Sequence, residues 1–168
     1  MKSNDTEPRI KLIEKSLRQF GIDGEGAFYL LLFNYYLAYS LKLNSFPKQI
    51  ISKYGDLSKK VDDKTKSALM SVVKSDPNGS ILPLWYQYFL SKMYRENSGK
   101  FFTPHPVARA MSNLLPLKDN AIIMDPTCGG GTFLVEASRR FSDLSCYLIG
   151  NDIDQTLIYL TDVVLGLN

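Results

Sequence analysis

Three consecutive glycines, Gly129, Gly130 and Gly131, lie between two carboxylates, Asp125 and Asp152, an arrangement suited to holding a nucleoside. Glycine lets a backbone turn sharply and approach a ligand closely, and a helix starting after such a loop offers unpaired N–H groups. An acid at the tip of the following strand can accept both hydroxyls of a ribose. Asp152 follows Gly131 by 21 residues, against about 20 expected between a glycine loop and a ribose-binding acid. The unit points to an adenosine-containing cofactor, and three compete. A phosphate-binding loop requires G-x-x-x-x-G-K-[ST], whereas Gly131 is followed by Thr132 and Phe133 with no lysine in reach. The dinucleotide pattern G-x-G-x-x-G fails at its third glycine, which is Leu134, and Asp125 would sit awkwardly beside a pyrophosphate. S-adenosylmethionine carries an ammonium and a sulfonium and no phosphate, so a carboxylate beside the loop suits it best.

The elements that must position these residues are legible in outline. AIIMD, PTCGGG and TFLVEASRRF read as strand, glycine loop and helix; CYLIG at 146–150, NDID and QTLIYLTDVVLGL read as a second strand, its loop and another helix. Strand, helix, strand, helix implies a parallel sheet with a right-handed crossover. Upstream, FFTPHPVARAMSNLLPL predicts a loop feeding a helix over roughly 106–115. Before that the pattern is helical. Ile10, Ile13, Leu17 and Phe20 recur at helical spacing, the apolar run 27–43 predicts a buried helix ended by Ser45, Phe46 and Pro47, and LPLWYQYFLSKMY predicts an aromatic-rich core helix. Between them, 48–80 reads as mixed: a solvated charged segment SKKVDDKTK, a short helix SALMSVVK and a turn at SDPNGS.

Composition sets the frame. The 168 residues are 45% hydrophobic, 12% aromatic and 22% charged, which excludes wholesale disorder and low-complexity architectures. The net charge of +3 does not by itself argue for nucleic acid, but it is unevenly placed: 15 basic against 10 acidic residues over 1–98, and 5 against 7 over 99–168. Two cysteines without a C-x-x-C and one histidine give no zinc site, and point to a reducing, cytoplasmic setting. MKSNDTEPRI is not a secretory signal, and 27–43, at 17 residues with Asn34, Ser40 and Lys42 inside it, reads as core rather than as a membrane span.

DPTCGGGTFL at 125–134 resembles the first methyltransferase motif of the adenine-specific DNA methylases, best known as the modification subunits of type I restriction-modification systems. GKFFTP at 99–104, starting 26 residues before Asp125, is similar to that family's G-x-[FY]-[FY]-T-P element, GNDID at 150–154 to its acidic second motif, and LWYQYFLSKMYRENSGK to the helix leading into the F-Y-T-P element. The likeness runs from about Leu84 onward. It implies an α/β chain: an N-terminal helical domain over 1–98, then over 99–168 the first βαβα part of a Rossmann-like class I S-adenosylmethionine-dependent methyltransferase sheet, incomplete. It implies that Phe101, Phe102, Thr103, Pro104 and Asp125 hold the methionine end of S-adenosyl-L-methionine. Gly129 and Gly131 would pass beneath it, with Pro126 and Cys128 of the same loop also among the cofactor-binding residues, and Asp152 would take the ribose hydroxyls. DNA, met through the complete enzyme, the missing C-terminal half or another chain, and specificity and restriction subunits are the implied partners; no membrane is implied.

Several of these residues also have plainer readings. Asp154 reads as a helix cap, Phe101 and Phe102 equally as packing residues, and Thr103 as a cap for the next helix. His105 reads as a surface or loop residue, Cys128 as a small loop residue rather than a nucleophile, Cys146 as core, and Trp85 as core rather than a base-stacking platform. The family's N-P-P-[FY] segment, which binds the flipped adenine, does not occur among the 168 residues. The expectation is a cofactor-binding portion that does not transfer a methyl group alone. The alternatives are a non-catalytic homologue docking onto restriction-modification partners, and a methyltransferase acting on a small molecule or RNA, which the F-F-T-P element disfavours.

Overall fold

The computed structural model describes residues 6–42, 48–94 and 102–168. They divide into two compact units. The first holds α1 (Thr6–Arg18), α2 (Gly24–Tyr39), α3 (Lys48–Lys60), α4 (Asp63–Ser75) and α5 (Leu82–Tyr94). Its centre is α2, where nine consecutive residues from Ala27 to Tyr35 are buried because α3, α4 and α5 all pack on it. A helix apolar on every side needs neighbours on every side. No helix among the described residues is long and apolar enough to cross a membrane.

Three expected boundaries shift. The second helix ends at Tyr39, where Ser40 takes a left-handed conformation (φ 50°) and its N–H returns to Leu37 and Tyr36; Ser45 to Pro47 lie outside the described residues. The region 48–80 is largely helical. The charged segment SKKVDDKTK holds the last turn of α3 and the first of α4, with the Asp62 carboxylate accepting from the Thr65 N–H at 2.8 Å. That is an N-cap, and it starts α4 earlier than SALMSVVK suggests. Within the segment Val61 and Thr65 are buried while its lysines and aspartates face outward.

The turn SDPNGS is built around one buried carboxylate. Asp76, 5% exposed, accepts from the Tyr35 hydroxyl (2.8 Å), the Ser80 N–H (3.0 Å), the Ser80 hydroxyl (2.7 Å) and the Ile81 N–H (3.1 Å). Burial, with the charge of Asp76 added, pushes the Tyr35 phenol well above its ordinary range, so it stays a donor. Asp76→Asn turns an amide NH₂ toward two of these donors, one of them a backbone N–H, and is expected to lower stability by about 1–2 kcal/mol in urea denaturation. On α5, Trp85 is 1% exposed and packs beside Phe89, so it is core and closed to a nucleobase.

The second unit holds α6 (His105–Ser112), β1 (Ile122–Asp125), α7 (Thr132–Arg140), β2 (Tyr147–Gly150) and α8 (Gln155–Gly166). The strands pair in parallel, Ile122 opposite Tyr147 through Asp125 opposite Gly150, with α7 as the crossover. Ile123, Cys128, Leu134 and Ala137 form its core, with Leu117, Phe133, Phe141, Cys146, Leu148 and Leu165 packed against them. The opposite face of the pair exposes Ile122, Met124, Tyr147 and Ile149. Apolar side chains on both faces are the mark of strands that belong inside a covered parallel sheet. α6 stops at Ser112, short of the expected 115. Pro116 disfavours helical geometry at Leu115, and Leu114 is 82% exposed.

Candidate functional site

The loop after β1 and the loop after β2 are fastened together beyond the last strand residues. Asn151 donates its N–H to the Asp125 carbonyl at 2.9 Å and Cys128 donates to the Asn151 carbonyl at 2.8 Å, so the parallel ladder continues into the glycine loop. Asp125 Oδ1 accepts from the Thr127 N–H at 3.1 Å, a short local turn, and among the described residues nothing donates to its other oxygen. Pro126 is exposed beside it. Both carboxylates thus stand at the C-terminal ends of neighbouring parallel strands.

Asp152 is already engaged. One oxygen accepts from the Gly129 N–H at 3.0 Å and the other from the Asp154 N–H at 2.9 Å. Each carboxylate oxygen has a second lone pair, so the capacity to bind a diol remains while the orientation is fixed. Asp154 caps α8 through the Thr156 N–H at 2.9 Å, in line with its reading as a helix cap. Between the acids, Ile153 is fully exposed, an apolar surface the sequence reading passed over.

The glycines are required for two different reasons. Gly129 has φ +54°, and a Cβ there would meet only the Phe102 ring at ordinary contact distance (3.7 Å). Gly131 has φ +76°, and a Cβ there would lie 3.0 Å from Thr161 on α8. Of the upstream segment, Phe102 is therefore seated against the loop; Thr103 and Pro104 are exposed, and Phe101 lies outside the described residues. Thr103 does not cap α6, whose N-cap is Pro104, with no side-chain bond.

His105 is not a simple surface residue. Its Nδ1 lies 2.9 Å from Oε1 of Glu136, a carboxylate only 3% exposed on α7, which also receives Arg109 Nε at 2.9 Å and Arg139 Nη1 at 3.1 Å. Burial raises the Glu136 pKa, but the bonds from Arg109 and His105 and the arginine charges outweigh this and hold it below the usual carboxylate range. This cluster ties α6, and with it the segment 102–104, to the helix that follows the loop.

Cys128 is buried, and burial pushes its thiol above the ordinary range; the bond to Thr161 opposes this in part, while the charges of Asp152 and Asp125 add to it. Iodoacetamide at neutral pH is accordingly expected to label the half-buried Cys146 about tenfold faster than Cys128 in the native protein, read by mass spectrometry.

Residues 78–167 match the protein family described as N-6 DNA Methylase. The chain belongs to that family. A type II methyltransferase, M.VspI of Vibrio sp. (strain 343), is 34% identical over 77 residues, covering 45% of this chain and 19% of that protein. The type I restriction enzyme MjaVII methylase subunit of Methanocaldococcus jannaschii is 32% identical over 88 residues, 49% of this chain and 15% of that one. A tRNA (guanine(10)-N2)-dimethyltransferase of the same organism is 31% identical over 103 residues, 52% and 28% respectively. The matched stretch is thus a small part of each relative. No solved structure matches the chain. These relatives are thus a type II methyltransferase, a methylase subunit of a type I restriction enzyme and a tRNA methyltransferase.

Proposed function

We propose that the second unit is the cofactor-binding start of a Rossmann-like class I methyltransferase domain, that its cofactor is S-adenosyl-L-methionine, and that it serves adenine-specific DNA methylation in a restriction-modification system. The observation carrying this reading is the pair of carboxylates flanking a glycine loop at the C-terminal ends of adjacent parallel strands, where open α/β sheets bind ligands. The residues fit the group: the loop 125–131 holds no basic side chain for a phosphate, and Asp125 keeps an oxygen for a cation. When bound, S-adenosylmethionine supplies an electrophilic methyl group. Asp125 and the 101–104 segment hold its methionine end, Pro126, Cys128, Gly129 and Gly131 line its path, Asp152 accepts the ribose hydroxyls, and Ile153 offers an apolar surface to the adenine.

The functional division in this reading is a helical domain over 1–98 and the methyltransferase start over 99–168. The base-binding N-P-P-[FY] segment and DNA target recognition come from outside these residues, from a continuation of the polypeptide or from another chain. The exposed Ile122, Met124, Tyr147 and Ile149 face is where helices of such a domain pack, while its further strands pair at the free edges of β1 and β2. Specificity and restriction subunits are the natural partners. The likeness to an RNA guanine methyltransferase supports a second reading, in which the same cofactor unit serves an exocyclic amine of guanine in RNA.

Calorimetric titration with S-adenosylmethionine and its demethylated product tests the cofactor reading. Saturable binding is expected, weakened about tenfold by Asp125→Asn, which keeps the acceptor for Thr127 but loses the charge, and also by Asp152→Ala. Absence of binding by the folded chain would leave a docking homologue as the better account. Methylation assays on DNA and RNA, with the remaining segments supplied, separate the two substrate readings.

A further inference from the structure

Thr161 lies inside α8, 3% exposed, in the otherwise apolar run Leu160 to Val164 broken only by Asp162. A buried hydroxyl is costly unless bonded, and threonine within a helix commonly satisfies itself on the carbonyl four residues back. Here the hydroxyl leaves its own helix. It donates to the Gly129 carbonyl at 2.9 Å and accepts from the Cys128 thiol at 3.6 Å. Its side chain also fills the space a Cβ on Gly131 would need. One residue therefore touches three of the four positions from 128 to 131.

Gly129 is consequently held from both sides, its C=O by Thr161 and its N–H by Asp152. With φ at +54° on a residue lacking a side chain, the two peptides that meet at Gly129 depend on hydrogen bonds: the Gly131 N–H to the Cys128 carbonyl (2.8 Å) and the Asp152 bond hold the first, and Thr161 holds the carbonyl of the second. A turn of the 129–130 peptide shifts Gly129 and loosens its N–H bond to Asp152, one of the two bonds that orient that carboxylate.

We infer that Thr161 is a positioning residue for the cofactor site: by fixing the Gly129 peptide from α8, it sets the shape of the glycine loop and the aim of Asp152. The inference rests on the cofactor reading above for its consequence, though not for its structural half. Thr161→Val keeps the volume and removes the hydroxyl; Thr161→Ser keeps the hydroxyl and removes the methyl.

In the ligand-free protein, amide hydrogen exchange at Gly129 and Gly131 is expected to quicken about tenfold in Thr161→Val and to stay near wild type in Thr161→Ser. S-adenosylmethionine affinity should fall about five- to tenfold in Thr161→Val and be restored in Thr161→Ser. Unchanged loop exchange in Thr161→Val, or equal loss in both variants, would overturn the inference, the second by assigning the effect to packing. Faster exchange with unaltered affinity would also overturn it. The expected exchange pattern in the two variants, with no S-adenosylmethionine binding by the wild-type protein, would refute the cofactor reading and leave the loop-positioning role standing.

Discussion

Gly131→Ala is expected to lower the stability of the second unit by about 3 kcal/mol, from two separable causes. The first is conformational: φ is +76°, and an L-residue held in the left-handed region costs about 1–2 kcal/mol. The second is steric: the new methyl would sit 3.0 Å from both Cγ2 and Oγ1 of Thr161, and overpacking of this kind costs about 1–3 kcal/mol. Thr161 cannot swing aside freely, because its hydroxyl is bonded to the Gly129 carbonyl and its helix is buried around it. Gly129→Ala provides the internal comparison. Its φ of +54° carries a similar conformational cost, but its methyl meets only the Phe102 ring at 3.7 Å, so about 1–2 kcal/mol is expected. Denaturant titration of both variants gives the steric part as their difference, and a double-mutant cycle of Gly131→Ala with Thr161→Ala should show a favourable coupling of similar size, separate from the cost of Thr161→Ala alone. Equal losses at the two glycines would show that Thr161 exerts no steric demand on the loop.

The parallel strands, the glycine loop and both flanking helices were legible because their signals are local: short apolar runs bounded by glycine, proline and aspartate, each followed by a helical period. The cap at Asp154 was legible for the same reason. α3 was not, although Ile51, Tyr54, Leu57 and Val61 recur at helical spacing, because five charged residues between 56 and 63 make the stretch look like a solvated linker. At the candidate site the acids and glycines were visible as residue types. What fixes them was hidden in partners far apart in sequence: Glu136 lies 31 residues from His105, and Thr161 lies 32 from Gly129. His105 therefore read as a surface residue, and Thr161 as one more member of a buried helix. Backbone acceptors and donors carry no sequence signature, so the bonds of Asp152 to Gly129 and Asp154 were equally invisible.

Arg109→Met is expected to destabilise the second unit more than Glu136→Gln, although the two residues share one ion pair. The asymmetry follows from where each charge sits. Glu136 is 3% exposed, while the side chains of His105, Arg109 and Arg139 are 44%, 65% and 38% exposed. Removing the carboxylate leaves two arginines and an imidazole that water can solvate; removing Arg109 leaves a buried carboxylate with one fewer donor, and uncompensated buried charge is the costly case. Melting temperature should drop by about 5–10 °C for Arg109→Met and by about 2–4 °C for Glu136→Gln. The pH dependence has a definite sign. The folded pKa of Glu136 is depressed below its ordinary value of 4.5, so its contribution is fully present above that value and is lost as pH falls through the lower folded pKa. Glu136→Gln should therefore flatten the acid side of the stability curve below about pH 4.5. In Arg109→Met the folded pKa rises, because a donor and a positive charge are gone, so the gap to wild type should be widest near neutrality and narrow as the carboxylate protonates. Since Glu136 holds α6 against α7, and α6 follows the segment that seats Phe102 on Gly129, the same variant should quicken amide exchange at Gly129. A gap between Arg109→Met and wild type that widens on acidification would rule out a buried, ionised Glu136 as the joint between these helices.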